Sequence, residues 1–377
     1  MNIVADENLA LLDELFGEIG NIRKLPGRRI TSGDLEEADI LLVRSVTRVD
    51  RSLLEGSPVR FVGSATIGSD HLDTEWLLSQ GIRVATAPGC NARAVVEYVL
   101  AVLARFYALG RFHPGVATVG VVGLGNVGGR LARQLSALGV RVLGCDPFRL
   151  LEGIECAGLD RILSECDVVC LHTPLTRSGS HPTWHMLDRA ALHRLKPGAI
   201  LINAGRGSVI DNHALAAMLA DETLPLGGLA LDVWENEPDI LESLLLRTDI
   251  ATPHVAGYSL EGKCEGSRMV AAALRHSLGC PPPVELSAMI PHAEMPLPLP
   301  LDATDEWSML AAWMPVIYPV MRDDAGMRAL AGQGAGGLGH GFDLMRRQYP
   351  LRREISAFRA PPEVPLSSRL LETGFHD

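Results

Sequence analysis

Short apolar runs alternate with stretches of helical periodicity over most of this chain. Residues 2–5, 40–43, 61–63 and 83–86 are runs of strand length separated by helix-like stretches. That alternation predicts a parallel sheet covered by helices. A Val-, Leu- and Ala-rich helix is expected over 94–109, leading into a second series. Its strand candidates are 118–122, 141–145, 168–171, 199–203, 229–231 and 250–251. Six strands with helical stretches between them match a doubly wound parallel sheet of the dinucleotide-binding (Rossmann) kind. A helix over 260–277 is expected to pack back on the first domain.

At Pro281-Pro282-Pro283 the pattern breaks, and 291–300 holds four prolines. This predicts a stiff linker over 281–300. Residues 301–377 retain apolar positions with weak periodicity and are expected to form a small third domain of α+β type. The glycine-rich stretch 331–341 is expected to be a loop. The α/β reading thus divides the chain into a flavodoxin-like substrate domain, 1–95 completed by helix 260–280, a Rossmann domain, 96–259, the linker, and 301–377.

The 377 residues are 47% apolar, enough for cores in two or three domains, and the formal net charge is −11. Without a basic patch that charge argues against nucleic acid, and it obliges an anionic small molecule to find locally placed arginines. No apolar run reaches membrane-spanning length. The N-terminus starts like a strand, without the basic-then-apolar layout of a signal segment, so a cytoplasmic protein is expected. The seven cysteines are scattered without metal-ligand spacing and read as free thiols; no metal is expected.

Candidate chemistry concentrates at the ends of the second set of strands. Gly123-Leu124-Gly125-Asn126-Val127-Gly128 lies between a strand and a helical pattern at 129–138. Gly123 permits a tight turn, Gly125 lets backbone approach a pyrophosphate, and Gly128 lets helix and strand pack closely. Asp146 ends the next strand, placed to accept from ribose hydroxyls and to repel a 2'-phosphate. NAD is therefore the expected cofactor. Thr173 and Pro174 end the 168–171 strand, at the carboxyl edge where ligands bind. Asp232, ending the 229–231 strand, is placed either to hydrogen-bond a nicotinamide carboxamide or to cap the following helix.

Three residues supply the reaction. Arg206, between glycines in Asn203-Ala204-Gly205-Arg206-Gly207, offers a planar fork for a carboxylate. Glu237 and His254 are 17 positions apart, each near a strand end. A carboxylate beside an imidazole orients the ring and favours its protonated form. Such a pair serves as base in oxidation and as acid in reduction, which suits hydride removal from a 2-hydroxy acid.

The set Gly-Leu-Gly-x-x-Gly, His172-Thr173-Pro174-Leu175, Asn-Ala-x-Arg-Gly, Asp232-Val233-Trp234-Glu235-x-Glu237-Pro238 and Pro253-His254-x-Ala256-Gly257 resembles the D-isomer-specific 2-hydroxyacid dehydrogenases, over about residues 1–278. The resemblance implies that Arg206 binds the substrate carboxylate and that Glu237 and His254 transfer the proton. Further segments resemble one branch of that family: Asp6-Glu7-Asn8, 43–47, 68–71, 87–92, 182–185, 256–263 and the tail segment 342–354. That branch oxidises 4-phospho-D-erythronate during pyridoxal phosphate formation. It implies that Ser45, Thr66 and Tyr258 contact substrate, that Asp146, Thr173, Asp232 and Gly257 contact NAD, and that the tail forms a homodimer. The segment 110–117, Asn126 and the 331–341 stretch depart from its pattern. A substrate with carboxylate and phosphate ends needs a second cation. Arg44 is the leading candidate, with Arg93 and the Arg352-Arg353 pair as alternatives. Other D-2-hydroxy acids, such as 3-phosphoglycerate, and an NADH-sensing binding protein of corepressor type are the competing readings.

Overall fold

The first alternating series folds as a parallel five-stranded sheet in a computed structural model that describes residues 1–291 and 293–376. Its strands are β1 (Asn2–Asp6), β2 (Asn21–Leu25), β3 (Ile40–Val43), β4 (Phe61–Ser64) and β5 (Arg83–Thr86), in the order β2-β1-β3-β4-β5. β2 escapes the apolar pattern because it is an edge strand with no buried residue. The helix Leu260–Ser277 closes one face, where its Val270, Ala271 and Leu274 share a core with Ile3, Leu42 and Phe61. A side chain at Gly63 would collide with Val270, so a bare backbone there sets the approach of helix to sheet. This unit comprises residues 1–91 and 259–291.

The second unit, 92–258 with 293–376, is built on a seven-stranded parallel sheet. Its strands are β6 (Thr118–Val122), β7 (Arg141–Cys145), β8 (Glu155–Cys156), β9 (Val168–Leu171), β10 (Ile200–Asn203), β11 (Gly228–Leu231) and β12 (Ile250–Ala251). The order β12-β11-β10-β9-β6-β7-β8 reverses at β6, which creates the crevice where such sheets bind ligands. The sheet has one strand more than the pattern predicts, because β8 is two exposed residues at an edge. β6, β9, β10 and β11 are buried along their whole length, as continuous apolar runs require.

Residues 301–376 share the cores of this second unit. Trp307, Leu310, Trp313 and Ile317, from the helix Glu306–Ile317, pack with Val96, Val99 and Leu103 of the helix Ala92–Ala108. Within the 281–300 stretch, β13 (Met295–Pro296) pairs in parallel with β14 (Phe358–Arg359). The loop expected over 331–341 is instead the start of a helix, Gly334–Arg347. Its glycines lower intrinsic propensity, but Leu338 and Phe342 bury completely in the second core and override it. The helix Val320–Arg328 finishes the sheet's open edge: the Asp324 carboxylate accepts from the Ala251 amide at 2.9 Å, and Arg328 donates to the Thr248 and Asp249 carbonyls. Among the described residues no helix is long and apolar enough to cross a membrane.

The tail is locked by charge as well. Glu97, inside the Ala92–Ala108 helix, accepts from Arg352 Nη1 at 2.6 Å and from the Ile355 amide at 2.8 Å. Both side chains are about 95% or more buried, at 2% and 5% exposure. Glu97→Ala would strand a buried guanidinium and should cost about 3–5 kcal/mol. Urea unfolding measures this, and a loss below about 1 kcal/mol would contradict the role assigned to the pair.

His172, just past β9, is half-buried, with both ring nitrogens shielded from solvent and without a hydrogen bond, and burial pushes its pKa down from 6.5 to about 4. The unfolded chain then takes up a proton near pH 6.5 that the folded chain refuses until about pH 4. Stability from this group is complete above pH 6.5 and falls between 6.5 and about 4, by roughly 3 kcal/mol in all. In His172→Leu that part of the stability–pH slope should vanish; an unchanged slope would show that His172 does not carry it.

Candidate active site

At the end of β6 the chain turns through Gly123, whose φ of +89° suits glycine. The Gly123 amide donates to the Cys145 carbonyl at 2.8 Å. A side chain at Gly128 would collide with the Gly123 carbonyl, whereas one at Gly125 would meet open space. The helix Asn126–Ala137 starts from Gly125 with no side-chain cap, so its first-turn amides at Asn126, Val127 and Gly128 are suited to an anion. Asp146 accepts from the Leu124 amide at 2.8 Å and the Phe148 amide at 2.9 Å, tying the end of β7 to the glycine turn. Thr173 carries a buried hydroxyl with no protein partner. Open backbone at Gly125, unfilled helix amides and an orphaned hydroxyl across the switch point fit a dinucleotide.

The loop after β10 is pinned by Asn203, whose side chain accepts from the Gly205 amide at 3.1 Å and donates to the Arg206 carbonyl at 3.0 Å. Gly207 lies hard against the Trp234 carbonyl, so no side chain fits there. Arg206 is half-buried, with one guanidinium nitrogen on the Gly205 carbonyl at 2.9 Å.

Glu237 and His254 meet: Glu237 Oε2 lies 2.7 Å from His254 Nδ1. Glu237 Oε1 accepts from the Trp234 amide at 2.9 Å. Burial works against the charge of Glu237, but His254, Arg346 and the Trp234 amide outweigh it and hold the carboxyl below its usual pKa. With Nδ1 engaged, Nε2 is the ring atom left for a reactant. His254 has φ +55°, a left-handed conformation uncommon outside glycine and typical of constrained sites. Two residues before Glu237, Glu235 is braced by His185 Nε2 at 2.7 Å. His185 Nδ1 lies 3.8 Å from Asp211, so its two nitrogens face two carboxylates.

Asp232 is 1% exposed. Oδ1 accepts from the Thr252 hydroxyl at 2.7 Å and the Val255 amide at 2.8 Å; Oδ2 accepts from the Ala256 amide at 3.0 Å. Of the two expectations for Asp232, the helix cap is replaced by a clamp on the 252–256 loop. Burial raises its carboxyl pKa against these bonds. The loop continues through Gly257 to Tyr258, whose amide donates to the Val255 carbonyl at 2.8 Å.

In the first unit the remaining expected residues follow strand ends. Arg44, after β3, sets Nε at 2.9 Å and Nη2 at 3.3 Å from the carboxylate of Asp6, which is fully buried at the end of β1. Ser45 is exposed in the adjoining turn. Thr66, after β4, shares a hydrogen bond of 2.9 Å with Ser64, which also bonds His71 Nε2 at 2.8 Å. Lys263, on the helix Leu260–Ser277, lies near enough to Arg44 that burial and this neighbouring cation lower its pKa. Sequence reading missed Lys263, since nothing local distinguishes it from a helix-surface lysine. The alternative cations fare differently: Arg352 is consumed by Glu97, and Arg93 faces Glu354 at 3.7 Å. Arg352 is therefore removed as a phosphate candidate.

Residues 112–256 match the model of the D-isomer specific 2-hydroxyacid dehydrogenase NAD binding domain, and 291–373 match a domain of unknown function. Erythronate-4-phosphate dehydrogenase of Pseudomonas entomophila (strain L48) is 48% identical over 94% of this chain and 92% of its own length. The enzyme of the same name from Marinobacter nauticus is 47% identical over 100% of this chain and 98% of its own. Among solved structures, D-lactate dehydrogenase of Aquifex aeolicus with NAD and lactic acid has a TM-score of 0.61 at 22% identity, covering 74% of this chain and 96% of its own; that likeness shows the fold. Matched over nearly its whole length at such identity, the chain belongs to the erythronate-4-phosphate dehydrogenase family of the D-isomer-specific 2-hydroxyacid dehydrogenases.

Proposed function

We propose that this chain oxidises 4-phospho-D-erythronate to (R)-3-hydroxy-2-oxo-4-phosphobutanoate, with NAD as oxidant, in pyridoxal 5'-phosphate biosynthesis. The observation that carries the chemistry is the 2.7 Å contact between Glu237 and His254 Nδ1. The relatives of that name carry the choice of substrate. NAD, when bound, supplies the acceptor for the C2 hydride. The residues to hold it are Gly123, Gly125, Asn126, Val127 and Gly128 at the pyrophosphate, Asp146 at the adenosine ribose, and Thr173, Asp232 and Gly257 nearer the nicotinamide.

Arg206 clamps the substrate carboxylate and stabilises charge on the developing carbonyl oxygen. His254 takes the C2 hydroxyl proton at Nε2, and Glu237 orients the ring and stabilises the imidazolium that forms. Ser45, Thr66 and Tyr258 contact the substrate. Arg44 is assigned to its phosphate, supported by two features. The buried Asp6 fixes its guanidinium in one orientation, and Lys263 places a second cation nearby. An anion favours a place where two cations stand near each other.

The active form is proposed to be a homodimer through 301–377, supported by exposed Leu301, Val316, Met321 and Leu351. A cytoplasmic location accords with its seven cysteines, all free in the structure.

In His254→Ala, kcat should fall by about 10²–10⁴-fold while NADH affinity, read by fluorescence titration, stays within about threefold of wild type. Comparable losses in both would make the histidine structural. For Arg44→Ala, KM for 4-phospho-D-erythronate should rise about tenfold or more, with little change for unphosphorylated D-erythronate; an unchanged KM for the phosphorylated acid would sink the Arg44 assignment. Assays should include a 2-oxo acid to reoxidise retained NADH.

A further inference from the structure

We propose that Arg346, from the C-terminal segment, is a substrate-binding residue that takes the phosphate end of the substrate, which makes that segment a working part of the catalytic site. The inference deepens the reading above and rests on it for the identity of the substrate.

The segment first grips the loop that carries His254 and Tyr258. Tyr318 donates to the Val255 carbonyl at 2.9 Å, and Arg352 Nε donates to the Tyr258 carbonyl at 3.0 Å. The Tyr349 ring meets the Tyr258 ring edge-on, with centroids 5.7 Å apart, and its hydroxyl is held by Asp323 at 2.7 Å. Three separate side chains of one segment thus converge on two residues of one loop, Val255 and Tyr258. A region serving only association of subunits would need none of these contacts.

On that platform the helix Gly334–Arg347 delivers Arg346. Its guanidinium hydrogen-bonds the Tyr258 side chain and lies close to the Glu237 carboxylate. It stands 5.9 Å from the centroid of the buried Phe342 ring, and its Nε is buried with no partner. Burying a guanidinium with an idle donor is costly unless an anion meets it. Glu237 is an incomplete answer: its oxygens face Trp234 and His254, and Arg346 Nε has no partner beside it.

A purely electrostatic role toward Glu237 is also self-defeating. A cation there favours the ionised carboxylate but disfavours the protonated imidazole that the carboxylate exists to support. The arrangement is useful when a further anion arrives beside Tyr258. A phosphate monoester brings nearly two charges and three acceptor oxygens, which leaves acceptors for the Arg346 fork even when another cation is bound. In a chain of net charge −11, local cations of this kind are what draw a polyanionic substrate in.

The test compares wild type, Arg346→Gln and Arg346→Lys as full-length protein, with 4-phospho-D-erythronate and D-erythronate as paired substrates. Circular dichroism melts and NADH fluorescence titration confirm that the variants fold and bind cofactor. Arg346→Gln should raise KM for the phosphorylated acid by about 10–100-fold and KM for D-erythronate by less than about threefold, while any fall in kcat through Glu237 is shared by both acids. Arg346→Lys should recover part of the loss, because it keeps the charge. Competitive inhibition by inorganic phosphate, measured against whichever acid is turned over, should weaken about tenfold in Arg346→Gln. Equal rises in KM on both acids, or unchanged phosphate inhibition, would overturn the proposal. Absence of wild-type turnover with 4-phospho-D-erythronate would instead overturn the substrate assignment, and the phosphate-inhibition arm would still decide the role of Arg346.

Discussion

The Asp232 carboxylate is the point on which the catalytic arrangement hangs. It sits at the end of a wholly buried strand, accepts one hydroxyl and two amide hydrogen bonds, and fixes the loop from Thr252 to Ala256. The His254 amide returns to the Asp232 carbonyl at 2.7 Å. A buried carboxylate is tolerated only when its lone pairs are filled, so the loop and the acid require each other. Removing either would release His254 from the positive-φ conformation that aims its ring at Glu237. Placement of the His254 imidazole is thereby transferred from a loop to the sheet, the usual way for a site to gain precision.

The C-terminal segment extends the same logic. It fills two cores of the second unit, covers the sheet's open edge through Asp324, and is bolted to the Ala92–Ala108 helix by the Glu97–Arg352 pair. A buried ion pair contributes little net stability against an apolar alternative, but it fixes register. Here the register matters, because the segment that carries Arg352 also carries Tyr349 and Arg346 against Tyr258 and Glu237. Stability and substrate recognition use the same buried polar contacts, so a lesion in the tail should be felt in the reaction as well as in the fold.

Much of this was legible in the chain because β-strands buried on both faces must be continuous apolar runs. The strands 40–43, 118–122 and 168–171 have the expected limits for that reason. β2 and β8 were hidden because edge strands bury little. The helix at Gly334–Arg347 was hidden because Leu338 and Phe342, not propensity, decide it. The Glu237–His254 contact was readable from two strand ends, since parallel neighbours bring their carboxyl ends together. Arg346 and Lys263 were not, because their significance lies in what tertiary packing sets beside them. Arg352 was misjudged for the same reason: a charged residue in a polar-looking tail is buried against Glu97, far along the chain.

The central claim is a direct hydride transfer from C2 of 4-phospho-D-erythronate, with His254 taking only the hydroxyl proton. The most direct measurement uses substrate deuterated at C2 and follows the label by mass spectrometry. The account predicts that the deuterium appears in NADH, one atom per turnover, with none lost to water. Deuterium released to solvent, or no consumption of the labelled acid in the presence of NAD, would contradict it.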